Sequence, residues 1–495
     1  METPAALPPD KTQIKSSPPV TAFRVSRYSY YALGILTLVN FLNYIDRQIL
    51  PSVAPLMAAD LHLSDTEIGA MEAALLLSFT VLAPLFGRLG DRYSRTKLMA
   101  IAAIIWSIAT GLTGVMDYFP FLPGSVHINV PFVQFTLELS GVAVVLCLVR
   151  AIVGVGESSY STITPSLIAD FFPPERRATA LGVFQAAIPM GFALGYVIGV
   201  VLAHFFGWRW AFMIVGLPGL LTAWFVWGLR EPVRGASEHK EGAANPERDA
   251  VQSLAETKLV HESWLRTSWR ILRTRDWLLS TAGYTALTFV LGAFGTWATI
   301  LLVRDKGLTV TQAGITLGLV SLFAGAAGTF GGGWLADKLI VRRGNAYFLL
   351  CAASSALGII PVFVVLSANN PWVFVPAIFL AVFFLFINNA PFHAILINSV
   401  PPLVRATAVA LNIVIIHIMG DVISRFGVGV LSDSIQAGHL SFIAAIARLL
   451  GIEAQRQHLT AALLVVPISL LLSSLLFLWG AASREQPQST FPSPA

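Results

Sequence analysis

Charged and amide residues interrupt sequence that is otherwise apolar, and their spacing puts them on helix faces. One apolar run carries Asn40, Asn43, Asp46 and Arg47. Asn40, Asn43 and Arg47 repeat at three and four residues, which sets them on one face with Asp46 at its edge. Glu72 stands in the next run, and Arg150 and Glu157, two turns apart on one face, share another. His417, Asp421 and Arg425 recur at intervals of four, and acid before base at that spacing is the favourable order, which makes a self-neutralising Asp421–Arg425 pair the bland alternative to a functional role. Asn388, Asn389 and His393 occupy a neighbouring run.

The chemistry open to such groups is proton transfer and anion binding. A carboxylate desolvated in a cavity takes up a proton unless an arginine pairs with it. Asp46, Glu157 and Glu72 are therefore candidate proton-coupling groups. An arginine freed by that proton can grip an anion through two parallel hydrogen bonds. Asn43, Arg47, Arg150, His417, Asp421 and Arg425 are the matching candidate substrate contacts. The bland alternatives are static ion pairs between helices, hydrogen-bonded core histidines at His393 and His417, and a Glu72 that only lines solvent near the outer end of its helix.

The elements that must hold these groups are membrane spans. The 495 residues are 55% hydrophobic and 12% charged, with a mean hydropathy of +0.72. Soluble domains carry roughly 25% charged residues. Twelve apolar runs reach the length of ~20 residues that a helix needs to cross a bilayer: 28–56, 66–87, 96–116, 138–171, 177–204, 208–229, 277–303, 312–336, 345–367, 371–400, 405–433 and 459–481. The alternating segments of a transmembrane β-barrel are missing. The fold class is an all-α membrane protein with twelve transmembrane helices in two pseudo-symmetric six-helix bundles, 28–229 and 277–481. A charge at mid-bilayer costs roughly 2.5–3.5 kcal/mol on the insertion scale, so the charged faces should converge on a central cavity.

Lys and Arg concentrate in alternate loops, which places both termini in the cytoplasm. The net charge of +5 is thus topological, and no basic stripe suggests a nucleic-acid partner. The tails, 1–27 and 482–495, are polar, and the linker 230–276 separates the bundles. Its end, Thr257–Arg275, alternates Leu, Trp and Ile with Arg and Lys, as an amphipathic helix on an anionic leaflet would. No cleavable signal precedes the first span. Cys147 and Cys351 lie inside apolar runs and indicate neither disulfide nor metal. The chain has no Asn-x-Ser/Thr sequon, which fits a bacterial inner membrane. No hydrolase, metalloprotease or nucleotide fingerprint occurs in a plausible context, so an enzyme is not expected, and GVGES at 154–158 reads as helix packing.

Two motifs recur in the same order in each half. Gly87–Lys97, GRLGDRYSRTK, returns in degenerate form at Gly333–Arg343, GWLADKLIVRR, and Pro173–Leu181, PPERRATAL, is echoed at Pro401–Val409, PPLVRATAV. The chain is therefore an internal duplication. The first half is longer because of an insertion around Asp117–Gln134. Gly87, Asp91, Arg92, Arg95, Asp337 and Arg342 are candidate gating residues, since an Asp at a helix end can pair with Arg or cap a neighbouring helix and let go as the halves rock.

The paired Gly-x-Leu-x-Asp loops resemble the signature of the major facilitator superfamily. More narrowly, Asn43–Arg47 (NYIDR), Ala83–Arg95 (APLFGRLGDRYSR), Arg150–Asp170 (RAIVGVGESSYSTITPSLIAD), Ile188–Gly199 (IPMGFALGYVIG) and His417–Asp421 (HIMGD), with Leu431–Asp433 beyond it, are similar to the Spinster family. The resemblance implies a proton-coupled transporter of single-chain phospholipids, monomeric and without cofactor, with Asp46, Arg47, Arg150 and Glu157 as its coupling and headgroup constellation. Glu72, where eukaryotic relatives tend to have Gln, and Arg425, after Ser424 where they often have Pro, each add an ionisable group to that pattern. Phe289, Phe294, Trp297, Phe383, Phe384 and Phe386 are candidates to line an acyl-chain channel. The rival readings are an organic-anion transporter taking sugar acids or carboxylates, an exporter of drugs or amphiphiles, and a membrane sensor that transports nothing.

Overall fold

The structure, a computed structural model, describes residues 25–118, 124–130, 135–232, 264–341, 343–401 and 404–483. Both tails beyond these bounds, most of the linker and Arg342 lie outside them. In the first half the helices are α1 Arg27–Leu61, α2 Asp65–Arg92, α3 Arg95–Thr113, α4 Gly141–Phe171, α5 Pro174–Phe206 and α6 Trp208–Trp227. The linker ends in α7 Trp264–Arg273. The second half holds α8 Arg275–Ile300, α9 Val310–Ile340, α10 Ala346–Ser367, α11 Pro371–Ile387, α12 Asn389–Asn398, α13 Arg405–Ile415, α14 Ile423–Gln436, α15 Ser441–Leu449, α16 His458–Ala462 and α17 Val465–Ser483.

Helix starts follow capping chemistry in the sequence. Ser64-x-x-Glu67 forms a capping box, the Glu67 amide donating to Ser64 Oγ at 3.2 Å and the Ser64 amide to Glu67 Oε2 at 2.9 Å. Thr309 and Gln312 repeat the device at the start of α9. Eleven of the described segments are long and apolar enough to cross a membrane. The twelfth expected span is α1, whose polar face from Asn40 to Gln48 lowers its hydropathy.

Three features differ from the sequence expectation. The inserted loop contains a two-stranded antiparallel hairpin, β1 Ser125–Val130 against β2 Phe135–Ser140, so the chain is not helical throughout. The tenth span breaks at Asn388 into α11 and α12. The eleventh is α13 and α14 joined by a π-helical turn, Ile416–Val422, and a second π turn, Leu301–Asp305, ends the seventh.

The halves repeat one packing scheme. In the first, α1 packs along α5, α2 along α4 and α3 along α6; in the second, α8 packs on the π turn and α14, α9 along α11 and α10 along α17. The repeated glycines obey it too. A Cβ at Gly87 would lie 3.6 Å from Thr162 on α4, and one at Gly333 3.6 Å from Ala390 on α12. The glycines of GVGES are close-contact sites. A Cβ at Gly154 would come within 2.2 Å of the Leu75 carbonyl on α2, and one at Gly156 within 2.5 Å of the Ala102 carbonyl on α3.

Polar contacts between the halves cluster toward the end of the bundle opposite the chain termini, here called the distal end. There Arg304 donates to both Asp65 oxygens at 2.9 Å, and Ser432 donates to Asp65 at 2.6 Å. Asp433 accepts from the Asp65 and Thr66 amides at 3.2 and 2.7 Å, so a carboxylate of one half caps a helix of the other.

Candidate functional site

Between the halves lies a cavity of about 430 Å³ with two unlike walls. Arg47, Glu72, Arg150, His417, Asp421 and Arg425 form its charged pole. Phe294, Leu301, Leu317, Ile378, Leu385 and Phe386 line an apolar lobe within the second half.

The charged pole is a set of ion pairs joining spans. Arg47 Nε donates to Glu157 Oε2 at 2.6 Å, tying the first span to the fourth, with Glu157 wholly buried behind the cavity wall. The Tyr44 and Phe79 rings lie 5.2 and 4.6 Å from the Arg47 guanidinium and hold it by cation–π contact. Arg150, also wholly buried, donates from Nη2 to Glu72 Oε1 at 3.3 Å. Its Nε and Nη1 make no hydrogen bond with the described residues. The other Glu72 oxygen accepts from Arg425 Nη1 at 2.6 Å, so one carboxylate links arginines of both halves. Thr296 accepts from the same Arg425 nitrogen at 3.0 Å. His417 Nδ1 lies 2.7 Å from Asp421 Oδ2, and the Phe79 ring packs edge-on to the His417 ring across the halves.

These pairings correct several sequence expectations. Asp421 does not pair with Arg425: Asp421 is bonded to His417, and Arg425 reaches across the halves to Glu72. Glu72 does not line solvent; it is 3% exposed and bridges two arginines. Arg150 and Glu157 share a face but bind different spans. Asp46 points away from the cavity and accepts from Thr110 Oγ1 at 2.5 Å on α3. Asn43 is fully buried beside the site without lining it. His393 bonds to the Asn389 carbonyl of its own helix, the bland reading. Of the six aromatics, Phe294 and Phe386 line the cavity, whereas Trp297 is buried and donates to the Arg425 carbonyl at 3.1 Å.

The gating candidates divide likewise. Arg95 is buried, with Nη1 2.7 Å from Asp170 and Nε 3.1 Å from Glu231, so it braces the loop after α2 to the ends of α4 and α6. Partial burial would raise the Glu231 pKa, but hydrogen bonds from Ser94 and Arg95 and the Arg95 charge outweigh it and hold the carboxyl below its ordinary value. Arg92 and Asp337 are exposed at their helix ends. Asp91 falls within α2 but its side chain, like Arg342, is outside the described residues. Sequence reasoning missed the distal cluster around Asp65 and the cavity residues Tyr44, Gln48 and Tyr196. Asp433 closes the Leu431–Asp433 stretch of the family resemblance, and Tyr44 and Gln48 flank the Asp46–Arg47 pair, which were the available signals.

The major facilitator superfamily model matches residues 36–423. Protein spinster of Drosophila melanogaster is 30% identical over 422 residues, 83% of this chain, which spans 63% of that protein's length. Spinster homolog 1 of Xenopus tropicalis is 32% identical over 432 residues, covering 83% and 74% of the two chains. A sphingosine-1-phosphate transporter of Danio rerio is 29% identical over 426 residues, 82% and 77%. Among solved structures, a bacterial homologue of the human lysosomal transporter Spinster, inward-facing and unoccupied, superposes with a TM-score of 0.71 at 21% identity, covering 92% and 98%. With a duplicated twelve-span architecture, a charged cavity at the interface of the halves and these relatives, the chain belongs to the Spinster family of the major facilitator superfamily and is a multi-pass membrane transporter.

Proposed function

We propose that this transporter moves single-chain phospholipids, of lysophospholipid or sphingosine-1-phosphate type, in exchange with or together with protons by alternating access. The observation that carries the reading is the two-walled cavity. Its charged pole offers Arg150, with Nε and Nη1 unbonded among the described residues, to an anionic headgroup, and its apolar lobe offers Phe294, Leu385 and Phe386 to an acyl chain. A polar sugar or carboxylate would leave that lobe without a matching surface. The name of the Danio rerio relative supports the same substrate class.

Glu157 is the proposed proton site. A proton on Glu157 removes the charge that holds Arg47 and lets the guanidinium, already at the cavity wall, turn to the headgroup phosphate. Proton and anion thus exchange around one arginine. Asp46 and Glu72 complete the proposed acid set, and with the termini in the cytoplasm, the orientation the Lys and Arg distribution favours, a distally closed bundle is inward-facing.

The test uses purified protein in liposomes under an imposed pH gradient, following a labelled lysophospholipid and internal pH. Gradient-dependent lipid flux that is lost in Glu157→Gln and Arg150→Ala is the expected result. No lipid flux, with proton movement on adding sugar acids or small carboxylates, would overturn the lipid assignment in favour of an organic anion.

A further inference from the structure

The two ionisable residues that depart from the family pattern, Glu72 and Arg425, are bonded to each other. Arg425 Nη1 donates to Glu72 Oε2 at 2.6 Å, from α14 of the second half to α2 of the first. A Cβ at Gly69, one turn before Glu72, would meet the Arg425 carbonyl at 2.4 Å, so backbone and side chain hold this crossing together. Alternating access requires the distal crossing to part. The first half then keeps a neutral pair, because Glu72 also binds Arg150 at 3.3 Å. The second half is left with Arg425, whose one remaining side-chain partner among the described residues is the neutral hydroxyl of Thr296 at 3.0 Å. An arginine released into a cavity of this kind needs a new anion.

The second half holds one within reach. Asp421 lies four residues before Arg425 on the same span. Both side chains run along one face of α8. A Cβ at Gly292 would lie 2.8 Å from Asp421 Oδ1, and a Cβ at Gly295 would lie 3.7 Å from Arg425 Nη2. Those glycines are one helical turn apart, about 4.5 Å of rise, and carry no side chain to stand between the two groups. In the distally closed state Asp421 is held by His417 at 2.7 Å. The π turn that includes both residues ends at Val422, just before Arg425's own helix begins, and such turns are recurrent points of adjustment in helices.

We infer that Arg425 is a positioning residue that exchanges partners during transport, held by Glu72 while the distal end is closed and by Asp421 once it opens. This rests on the transport reading only in requiring that the distal end open.

Spin labels on the exposed distal residues Ala59 and Ala437, in a chain whose Cys147 and Cys351 are replaced by Ala, report the separation of the halves by electron–electron resonance without any substrate. Glu72→Gln removes the closed-state partner, and the ratio of open to closed distances rises at least about fivefold, the scale of an ordinary coupling free energy. Asp421→Asn removes the open-state partner and lowers the same ratio, whereas His417→Asn frees Asp421 and raises it. In an Arg425→Met background Asp421→Asn has no effect. Opposite signs at two residues that touch each other are not what loss of packing gives, and each variant checks the other if one fails to fold. An unchanged ratio in Glu72→Gln, or an Asp421→Asn effect that persists without Arg425, overturns the exchange. A chain that shows these shifts but moves no lipid overturns the lipid reading and leaves the exchange standing.

Discussion

Replacing Arg47 with Leu tests whether the Arg47–Glu157 pair is the charge balance at the heart of the bundle. The pair closes at 2.6 Å, and Glu157 Oε1 has no partner among the described residues, so the variant strands a fully buried carboxylate. A stranded buried charge costs about 3–5 kcal/mol. Protonation is the competing route, and its cost falls with pH. Keeping a glutamic acid neutral at pH 7 against an ordinary pKa of about 4.3 costs roughly 3.7 kcal/mol, and at pH 5 only roughly 1 kcal/mol, at about 1.36 kcal/mol per unit. The double variant Arg47→Leu/Glu157→Gln has no such charge to neutralise. Melting of the two variants in detergent, followed by tryptophan fluorescence, reads the difference. A six-helix half loses roughly 2–4 °C per kcal/mol. The single variant should therefore melt roughly 7–15 °C below the double at pH 7 and roughly 2–4 °C below it at pH 5. Equal melting at pH 7, or a gap that does not shrink toward pH 5, would refute the reasoning, because Glu157 would then be balanced by some other cation.

Gly156→Ala drives a methyl group into the Ala102 carbonyl and the Trp106 side chain, contacts of 2.5 and 2.7 Å in which backbone cannot yield. It should cost about 1–3 kcal/mol, seen as a lower melting temperature, whereas Gly34→Ala, with nothing within 4 Å, should melt like wild type. Glu231, whose folded pKa is depressed, contributes stability that is complete above the ordinary glutamate value and is lost as pH falls through the lower folded one. The stability gap between wild type and Glu231→Gln should hold constant from pH 7 to about pH 5 and close in stronger acid; a gap closing between pH 7 and pH 6 would show a folded pKa that is raised instead, and no gap at any pH would show that Arg95 is held by Asp170 alone.

The architecture was readable because it rests on quantities that a linear sequence carries. Twelve apolar lengths, two repeated loops and an asymmetric charge distribution require no knowledge of which side chain meets which. The duplication made a geometric promise that the fold keeps, since Gly87 and Gly333 each meet the span two positions on at the same distance. GVGES could be read as packing because small residues at helical spacing let backbones approach closely. What composition did not carry was local: a hairpin in the inserted loop, the break at Asn388 and the π turns, each decided by how a segment fits neighbours distant in sequence.

The site was legible as an inventory and not as a set of bonds. Of the residues singled out for charge, Arg47, Glu72, Arg150, His417, Asp421 and Arg425 line one cavity, whereas Asp46 and Glu157 are buried off its wall, bonded to Thr110 and Arg47. Their partners were not legible where the bond crosses between halves, as it does from Arg425 to Glu72. Spacing at four residues is a statement about a single helix, whereas Glu72 binds across a boundary between bodies that must separate for the cavity to face the other side. A pairing that belongs to one conformation of an alternating bundle leaves its two halves in the sequence as unmatched charges. That is how Glu72 and Arg425 stood until the helices were set side by side.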